Sequence, residues 1–420
     1  MGRSMTEKIY AKHCTAGEAR AGDVRMIQPD VILVNDTSGS ITINQLAEMG
    51  IAKVHDPARV VLVADHFSPS KDTSTAKANR HLREFGRTQG VKHNYDSLRG
   101  GIEHALLPEI GMVGPGGIVF GSDSHTCTAG AFNASGMGFG STDLAAALAL
   151  GELWVKIPPA IRIDLEGAPT GFVTGKDIIL GIIAQLGSDG ALNASLEFGG
   201  PGLQHLELDE RTAIANMAVE AGAETCIFEC DSKVINYIKQ SGWRQQEPVH
   251  PDDDAVYLFR KTVRLDRLKP IIAKPPSPAN GVPLDSIGDV RVQQVYIGNC
   301  ANGTITDLRQ AASLLKKHKV HPHVRLIVVP STNAIYRQAA QEGLLEVFAE
   351  AGAGVSMPTC GACFGGHMGI LAEGETAVAT TNRNFHGRMG HTNSQIYLAN
   401  AWVAAAAAIT GKITDPATLV

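Results

Sequence analysis

The chain is 420 residues long, with 44% hydrophobic residues, 19% charged residues and a formal net charge of −5. This composition is ordinary for a globular α/β protein and excludes the disordered and collagen-like classes, while the lack of a long Lys/Arg run argues against a nucleic-acid or anionic-membrane partner. Seven cysteines are too few for a disulfide scaffold and the longest apolar stretch, residues 401–409, is too short to span a bilayer, so we expect a reduced, soluble, cytoplasmic protein.

Short β-branched runs alternate along the chain with segments of helical pattern. The predicted strands are Val31–Val34, Val60–Val63, Ile118–Phe120, Ile161–Leu165, Val295–Ile297 and Val324–Val329. The predicted helices are Thr75–Phe85, Thr142–Val155, Asp177–Leu186, Arg211–Glu220, Ile305–Lys317, Ala334–Gln341 and Gln395–Thr410. Continuous apolar strands suit parallel sheets covered on both faces, and their alternation with helices predicts α/β domains.

Two proline-rich sites divide this pattern. Residues 157–159 (IPP) interrupt the helix that begins at Thr142, and a new strand follows them. Residues 274–284, KPPSPANGVPL, carry four prolines and indicate a stiff, extended connector. We therefore predict three α/β domains, formed by residues 1–158, 159–285 and 286–420.

Acid and histidine side chains follow two of the predicted strands. Asp65 and His66 come after the run VVLVA, and Asp123, Ser124 and His125 lie in GSDSHT after the run IVF. A buried histidine is more often structural than catalytic. Ligands of open α/β sheets, however, bind beyond the carboxyl ends of the strands, so two such motifs at equivalent positions predict a functional cleft.

Three of the cysteines occupy positions that suit a metal ligand. Cys300 ends the predicted strand VQQVYIGNC, and Cys360 and Cys363 lie in the glycine-rich loop MPTCGACFGG. Such a loop can wrap a cluster and hydrogen-bond to its sulfur atoms, and three protein ligands would leave one coordination position open. A C-x-x-C pair also occurs in redox and zinc sites. The cysteines predicted to be plain buried hydrophobes are Cys14, Cys127, Cys226 and Cys230.

Two further glycine-containing segments lead to different predictions. TTNRNFHGRMG, residues 380–390, places Arg383 and Arg388 around a turn, where two guanidinium groups could grip carboxylates, unless this is only a solvated loop. GMGFGSTD, residues 136–143, lacks the Gly-Lys-Ser/Thr ending of a phosphate-binding loop. We predict that it begins a helix capped by Ser141 or Thr142.

Four motifs in this order, GSDSHT, IGNCANG, PTCGAC and NRNFHGRMG, closely resemble the aconitase superfamily, in particular the large subunits of 3-isopropylmalate dehydratase and homoaconitase. The resemblance extends from about Lys8 to the C-terminus. It implies three aconitase-type α/β domains around a central cluster-binding cleft. It also implies a [4Fe-4S] cluster on Cys300, Cys360 and Cys363, whose fourth iron coordinates a substrate hydroxyl and carboxylate. The implied activity is a hydro-lyase that dehydrates and rehydrates a hydroxy di- or tricarboxylic acid.

The resemblance further assigns roles to the strand-end residues. The residues it assigns to catalysis are Asp65, His66, His104, Asp123, His125, Asn216 and Glu220. Asp65 with His66 and His104 with Asp123 resemble the pairs that protonate the departing hydroxyl, and the other three resemble the residues around the iron-bound water. The spacing of Asn216 and Glu220 places both on one helical face. The residues it assigns to the substrate carboxylates are Ser124, Asn382, Arg383 and Arg388.

Aconitases carry a further, swivelling domain that supplies the catalytic serine, and we expect a small subunit to provide it to this chain. The isopropylmalate enzymes commonly read SCTNGR where this chain reads NCANGT, with Asn299, Ala301 and Thr304 at the three differing positions. The cluster ligands are untouched, so the substrate is the open question. 3-Isopropylmalate is favoured, with homoaconitase, 2,3-dimethylmalate dehydratase, maleate hydratase and citraconate hydratase as alternatives.

Two alternatives come from other classes. One is a zinc hydrolase that uses Asp65, His66, His104 and His125 as its metal site. The other is a non-catalytic binding or regulatory protein that has kept the fold.

Overall fold

The computed structural model describes residues 2–96, 98–243 and 247–420. Its strands are β1 (Val24–Ile27), β2 (Val31–Asn35), β3 (Val60–Ala64), β4 (His93–Asp96), β5 (Ile118–Gly121), β6 (Ser135–Gly138), β7 (Leu153–Lys156), β8 (Ala160–Glu166), β9 (Ser195–Gly199), β10 (Thr225–Phe228), β11 (Arg260–Arg264), β12 (Ile271–Ala273), β13 (Gly281–Pro283), β14 (Gln294–Gly298), β15 (Arg325–Val329), β16 (Gly354–Val355), β17 (Thr376–Ala379) and β18 (Gln395–Leu398).

Its α-helices are α1 (Met5–His13), α2 (Gly39–Glu48), α3 (Thr73–Gln89), α4 (Glu103–Glu109), α5 (Ser141–Leu150), α6 (Gly175–Leu186), α7 (Leu208–Met217), α8 (Ser232–Ser241), α9 (Ile305–Leu315), α10 (Asn333–Gln341), α11 (Leu344–Ala351) and α12 (Ala401–Thr410). Short 3₁₀-helices cover Ser124–Phe132, Pro201–His205, Ala218–Ala221, Leu265–Arg267, Leu284–Ser286, Gly361–Phe364 and Pro416–Thr418. No described helix is both long and apolar enough to cross a bilayer.

The first sheet contains five parallel strands in the order β4-β3-β2-β5-β6. Every residue of β2 and β3 is buried, as their continuous apolar sequences predict. Because the strands are parallel, their carboxyl ends meet at one edge. Asp36, Asp65 and Asp123 follow β2, β3 and β5 at this edge.

The second and third sheets follow in chain order. Strands β10-β9-β8-β11 form a four-stranded parallel sheet. The third sheet has seven strands in the order β13-β12-β18-β17-β14-β15-β16. Strands β14 to β18 pair in parallel with one another, whereas β12 pairs antiparallel with both β13 and β18. Cys300 lies beyond the carboxyl end of β14, and Cys360 lies in the loop after β16. One hydrophobic core contains residues of all three sheets, including Leu33, Leu196 and Ala379.

The structure corrects three of the local predictions. Helix α5 ends at Leu150, where Gly151 adopts a left-handed conformation, and Leu153–Lys156 forms strand β7, so a helix through Val155 was wrong. The N-cap of α5 is Gly140 rather than Ser141 or Thr142. Gln395–Leu398 is strand β18 because it pairs with β17, and the helix begins only after Asn400, whose side chain caps it.

The proline-rich residues 274–284 are not an extended connector. Strands β12 and β13 pair antiparallel around this segment, with Ala273 opposite Gly281, and form an edge hairpin of the third sheet. Proline is compatible with such a place because a turn or an edge position needs fewer backbone donors. Both strands precede the predicted boundary at residue 285, and the division into three domains stays a prediction.

Candidate functional site

The three predicted cysteine ligands lie in one buried place, brought there by two loops of the third sheet. The exposed fraction is 5% for Cys300, 7% for Cys360 and 1% for Cys363. All three are free thiols. Cys360 and Cys363 hydrogen-bond to each other, and Asn382 contacts the Sγ atoms of both Cys300 (3.5 Å) and Cys363 (3.3 Å).

Backbone and side-chain amide groups near the thiols donate to sulfur or fix the loops that carry the cysteines, as is common around sulfur-bound metals. Asn216 donates from Nδ2 to Cys300 Sγ at 3.1 Å. Asn299, directly before Cys300, has a φ of 152° and its Oδ1 accepts from the amides of the next turn, which fixes the start of the thiol loop. Gly361, between the other two thiols, has a positive φ of 52° that a residue with Cβ rarely adopts.

The thiols differ in their affinity for protons. Its hydrogen bond with Cys360 lowers the pKa of Cys363 well below the ordinary thiol value, although burial acts in the opposite direction. Burial and the neighbouring Cys363 raise the pKa of Cys300. Iron–sulfur ligation uses thiolates, so one ligand is already favoured in that state. The donor set of three buried, unpaired cysteines with amide donors to sulfur therefore fits an iron–sulfur cluster.

Asp65 and His66 form a hydrogen-bonded pair beside this loop. His66 Nδ1 lies 2.7 Å from Asp65 Oδ1, and both residues are buried. Thr359 Oγ1 and the amide of Cys360 donate to the backbone carbonyl of Asp65, which ties the pair to the thiol loop. Burial alone would lower the pKa of His66, but the carboxylates of Asp65 and Asp36 raise it well above the ordinary value. His66 thus carries a proton at neutral pH.

Asp123 lies at the centre of a second group of histidines. His104 Nε2 is 3.0 Å and His125 Nδ1 is 3.2 Å from Asp123 Oδ1, and His66 Nε2 is 3.7 Å from Oδ2. Burial would raise the pKa of Asp123, but the hydrogen bonds from His104 and His125 hold it well below the ordinary value. The two acid–histidine pairs identified from sequence therefore belong to one connected network.

Glu220 extends this network to the arginine loop. Its Oε1 lies 2.9 Å from His125 Nε2 and 2.7 Å from Arg383 Nε. Although burial would raise its pKa, hydrogen bonding to His125 lowers it, so Glu220 is ionised. Helix α7 ends at Met217 and a 3₁₀-turn carries Glu220. Asn216 hydrogen-bonds to Cys300, and Glu220 hydrogen-bonds to His125. Both side chains therefore face the site, although Glu220 lies beyond the end of the α-helix.

The predicted substrate-binding residues lie close to the thiols and to the acid–histidine network. Asn382 is buried and donates to Asn216 Oδ1 at 2.9 Å, and Arg388 donates from Nε to the Cys363 carbonyl at 2.7 Å. Ser124 is exposed at the start of the 3₁₀-helix that follows Asp123. The loop of residues 380–390 is therefore joined to the thiols and to Glu220 and is not a free solvated loop.

Sequence reasoning missed two carboxylates of the site. Asp36 accepts hydrogen bonds from the amides of His66 and Phe67 at 3.1 and 2.8 Å. It follows strand β2 directly, so the strand-end rule that found Asp65 would have found it. Glu103 is fully buried, accepts from Asn35 Nδ2 at 2.9 Å, and its own amide donates to Asp65 Oδ2. Burial and the charges of Asp65 and Asp123 raise its pKa well above the ordinary value. No motif distinguished it.

The predicted zinc-site residues do not converge as ligands. Within residues 2–96, 98–243 and 247–420, two compact groups of possible ligands occur, Asp36 with Asp65 and His66, and His66 with Glu103 and Asp123. Neither group contains three of the four residues proposed for a zinc hydrolase, and neither contains a cysteine. The acids and histidines instead hydrogen-bond to one another.

Comparisons with known proteins agree with this geometry. The Aconitase family (aconitate hydratase) matches residues 7–289 and 285–411. A 3-isopropylmalate dehydratase large subunit 2 of Rubrobacter xylanophilus is 49% identical over 419 residues, covering 100% of this chain and 99% of the relative. The 3-isopropylmalate dehydratase large subunit of Acetivibrio thermocellus is also 49% identical, over 416 residues and 99% of both chains.

A solved structure shares the fold. Aconitase X of Thermococcus kodakaraensis, in its holo-form, aligns with a TM-score of 0.51 at 13% identity, covering 85% of this chain and 84% of that one. The family match along the sequence implies an iron–sulfur cluster, and the three buried cysteines fit such a cluster. With matches that run over almost its whole length, the chain belongs to the aconitase family.

Proposed function

We propose that this chain is the large, cluster-binding subunit of a [4Fe-4S] hydro-lyase that acts on 3-isopropylmalate. The observation that carries the proposal is the convergence of three buried thiols with the Asp65–His66 and Asp123–His104 pairs in one cleft. Relatives that match the full chain at 49% identity are named for this dehydratase and support the choice of substrate.

Cys300, Cys360 and Cys363 would hold the cluster, leaving one iron without a cysteine ligand. When bound, the cluster supplies Lewis-acid chemistry that weakens the bond to the leaving hydroxyl. Asn216 and Asn382, which lie within hydrogen-bond distance of the thiol sulfurs, orient these ligands.

The acid–histidine network supplies the proton. A departing hydroxyl needs a general acid, and His66 carries a proton because Asp65 and Asp36 raise its pKa. Its Nδ1 is fixed on Asp65, so Nε2 is the atom that donates. Asp123, ionised beside His104 and His125, keeps these imidazoles oriented. In the reverse, hydrating direction the neutral His66 left after proton donation takes the proton back at Nε2.

The charged side chains at the rim hold the substrate. Arg383 and Arg388 offer guanidinium N–H groups beyond those used on Glu220 and the Cys363 carbonyl, and Ser124 presents an exposed hydroxyl. Guanidinium groups pair with carboxylates in bidentate fashion, which suits a dicarboxylic acid. His125 and Glu220, joined at 2.9 Å, lie between the acid–histidine network and the arginine loop and are placed to orient water there.

A small subunit would complete this site by supplying a catalytic serine on a swivelling domain. The matched relatives are named large subunits, which supports a second polypeptide as partner. We therefore expect this chain alone to bind the cluster and to turn over substrate poorly.

The test is anaerobic reconstitution with iron and sulfide followed by assay with the small subunit. The wild-type protein should become brown, with visible absorption and bound labile sulfide, whereas Cys300→Ser, Cys360→Ser and Cys363→Ser should not. Cys226→Ser, at a buried cysteine in β10, is the matched control and should load normally.

Activity of the loaded pair decides the substrate. 3-Isopropylmalate should turn over faster than homocitrate, citramalate, maleate or 2,3-dimethylmalate. A wild-type protein that stays colourless, or that binds zinc without labile sulfide, contradicts the proposed function. Loading without activity towards any of these acids supports a non-catalytic protein instead.

A further inference from the structure

Lys176 is a fully buried lysine beside the thiol site. Its exposed fraction is 0%, and it lies in the first turn of α6, in the segment of the second sheet. Its ammonium donates to the backbone carbonyls of Thr380 and Thr381 at 2.9 and 2.6 Å. These two residues lead directly into Asn382, which contacts two of the thiols.

This position is unfavourable for a positive charge. A helix N-terminus carries the positive end of the helix dipole, and burial removes the ammonium from water. In the part of the chain that the structure describes, no ion pair to a carboxylate is formed by its Nζ, so its direct partners are two neutral carbonyls. A charge kept under such conditions requires an anionic environment to offset it.

The thiol site contributes to that environment. Burial lowers the pKa of Lys176 to about 8, while the charges of Asp307, Cys363 and Cys300 act against this decrease. Asp307 is engaged by Thr304 and Asn302, and Asp177 by Thr174, Ile271 and Asn400. As cluster ligands, Cys300 and Cys363 would be thiolates, and their negative charge would add to the anionic environment of Lys176.

We propose that Lys176 is a positioning residue of the cluster site, which fixes the backbone that carries Asn382 and supplies buried positive charge next to Cys300 and Cys363. The inference rests on the proposed function, because it requires that these thiols hold an iron–sulfur cluster. The net charge around such a cluster and the hydrogen bonds to its ligands set its reduction potential and its retention.

Two substitutions separate the charge from the hydrogen bonds. Lys176→Met removes both, whereas Lys176→Gln removes the charge and keeps an N–H donor for the carbonyls. After anaerobic reconstitution, both variants should show a cluster midpoint potential shifted to more negative values, because an adjacent positive charge favours the reduced state. Lys176→Met should also lose its cluster about tenfold faster than the wild type, with Lys176→Gln in between.

Arg211→Met is the matched control. Arg211 is another fully buried cation, and it also donates to backbone carbonyls, those of Leu203 and Leu206. Its loss should weaken the fold but leave the cluster potential at the wild-type value. Potentials of Lys176→Met and Lys176→Gln equal to the wild type, or an equal shift in Arg211→Met, would overturn the inference.

The outcomes also distinguish a failure of the role of Lys176 from a failure of the proposed function. A wild-type protein that takes up no cluster overturns the proposed function and the role of Lys176 together. A wild-type protein that loads normally, with unchanged potentials in the Lys176 variants, overturns the role of Lys176 alone. If Lys176→Met fails to fold, the potential of Lys176→Gln decides.

Discussion

Buried carboxyl groups near the site differ in pKa because they differ in partners. Asp123 is surrounded by histidine N–H groups, which hold its pKa well below the ordinary value. Glu103 is fully buried and lies next to Asp65 and Asp123; burial and these two charges raise its pKa. Neighbouring acids can therefore take opposite protonation states at one pH, which is the separation that acid–base catalysis needs.

Glu109 gives a measurable pH dependence of stability. It ends α4, accepts a hydrogen bond from Thr332 at 2.6 Å, and burial raises its pKa to about 7. The folded state then binds a proton that the unfolded state has released, so stability falls as pH rises from the unfolded pKa, near 4.3, through 7. Relative to Glu109→Gln, the wild type should lose about 2 kcal/mol of unfolding free energy between pH 5 and pH 8.

Urea unfolding at the two pH values measures this difference. Glu84→Gln serves as the control, because Glu84 is an exposed residue of α3 paired with Arg80 and its pKa is lowered, not raised. A pH slope that is the same in wild type and Glu109→Gln would show that Glu109 titrates normally in the folded protein.

Among the elements, helix α9 shows how a substitution near the thiols is accommodated. Thr304, one of the three positions at which this chain departs from the motif it resembles, is the N-cap of α9. Its hydroxyl accepts from the Asp307 amide and its own amide donates to Asp307 Oδ2 at 3.1 Å, forming a capping box. The hydroxyl also donates to Asp307 Oδ2 at 2.6 Å. The loop that carries Cys300 therefore passes directly into a firmly capped helix.

Loss of this cap should have a measurable cost. Thr304→Ala removes the side-chain acceptor and should lower the unfolding free energy by about 1 kcal/mol, while Thr304→Ser should remain within a few tenths of the wild type. Thr306→Ala, in the same turn but not at the cap, is the control. Chemical denaturation measures all three, and a Thr304→Ala variant as stable as Thr306→Ala would contradict the capping role.

In the whole molecule, the site lies where three sheets meet. The carboxyl ends of β2, β3 and β5 provide Asp36, Asp65 and Asp123, the second segment provides Asn216 and Glu220, and the third provides the thiols and arginines. Contacts such as Asn216–Cys300 and Glu220–Arg383 cross between these segments. A group bound here would therefore hold separate parts of the chain together.

Cluster loading should accordingly stabilise the entire protein. Its ligands converge only in the folded chain, so binding adds to the free energy of folding. We expect reconstitution to raise the melting temperature of the wild type by about 5 °C or more. Cys363→Ser treated with the same iron and sulfide is the control and should show almost no increase. An equal increase in both proteins would indicate that the metal binds elsewhere.

The local sequence predicted strands and site residues correctly where the prediction depends on one residue type at one place in the chain. Apolar runs predicted the central strands. The position directly after such a strand singled out Asp65 and Asp123 as candidate functional acids. The predictions were wrong where pairing between distant segments decides the conformation. Gln395–Leu398 and Gly281–Pro283 form strands because neighbouring strands offer hydrogen-bond partners, and no local pattern reveals such partners.

Apolar periodicity and motifs of adjacent residues were enough to establish the α/β class and the family, and they predict the three thiol ligands. The packing of the three sheets was needed to show that His66, His104 and His125 share Asp123, that Asp36 and Glu103 join them, and that Lys176 lies against the loop of Asn382. The physical reason is that pKa values and buried charges depend on distances between residues far apart in the chain, which only the packing of the sheets fixes.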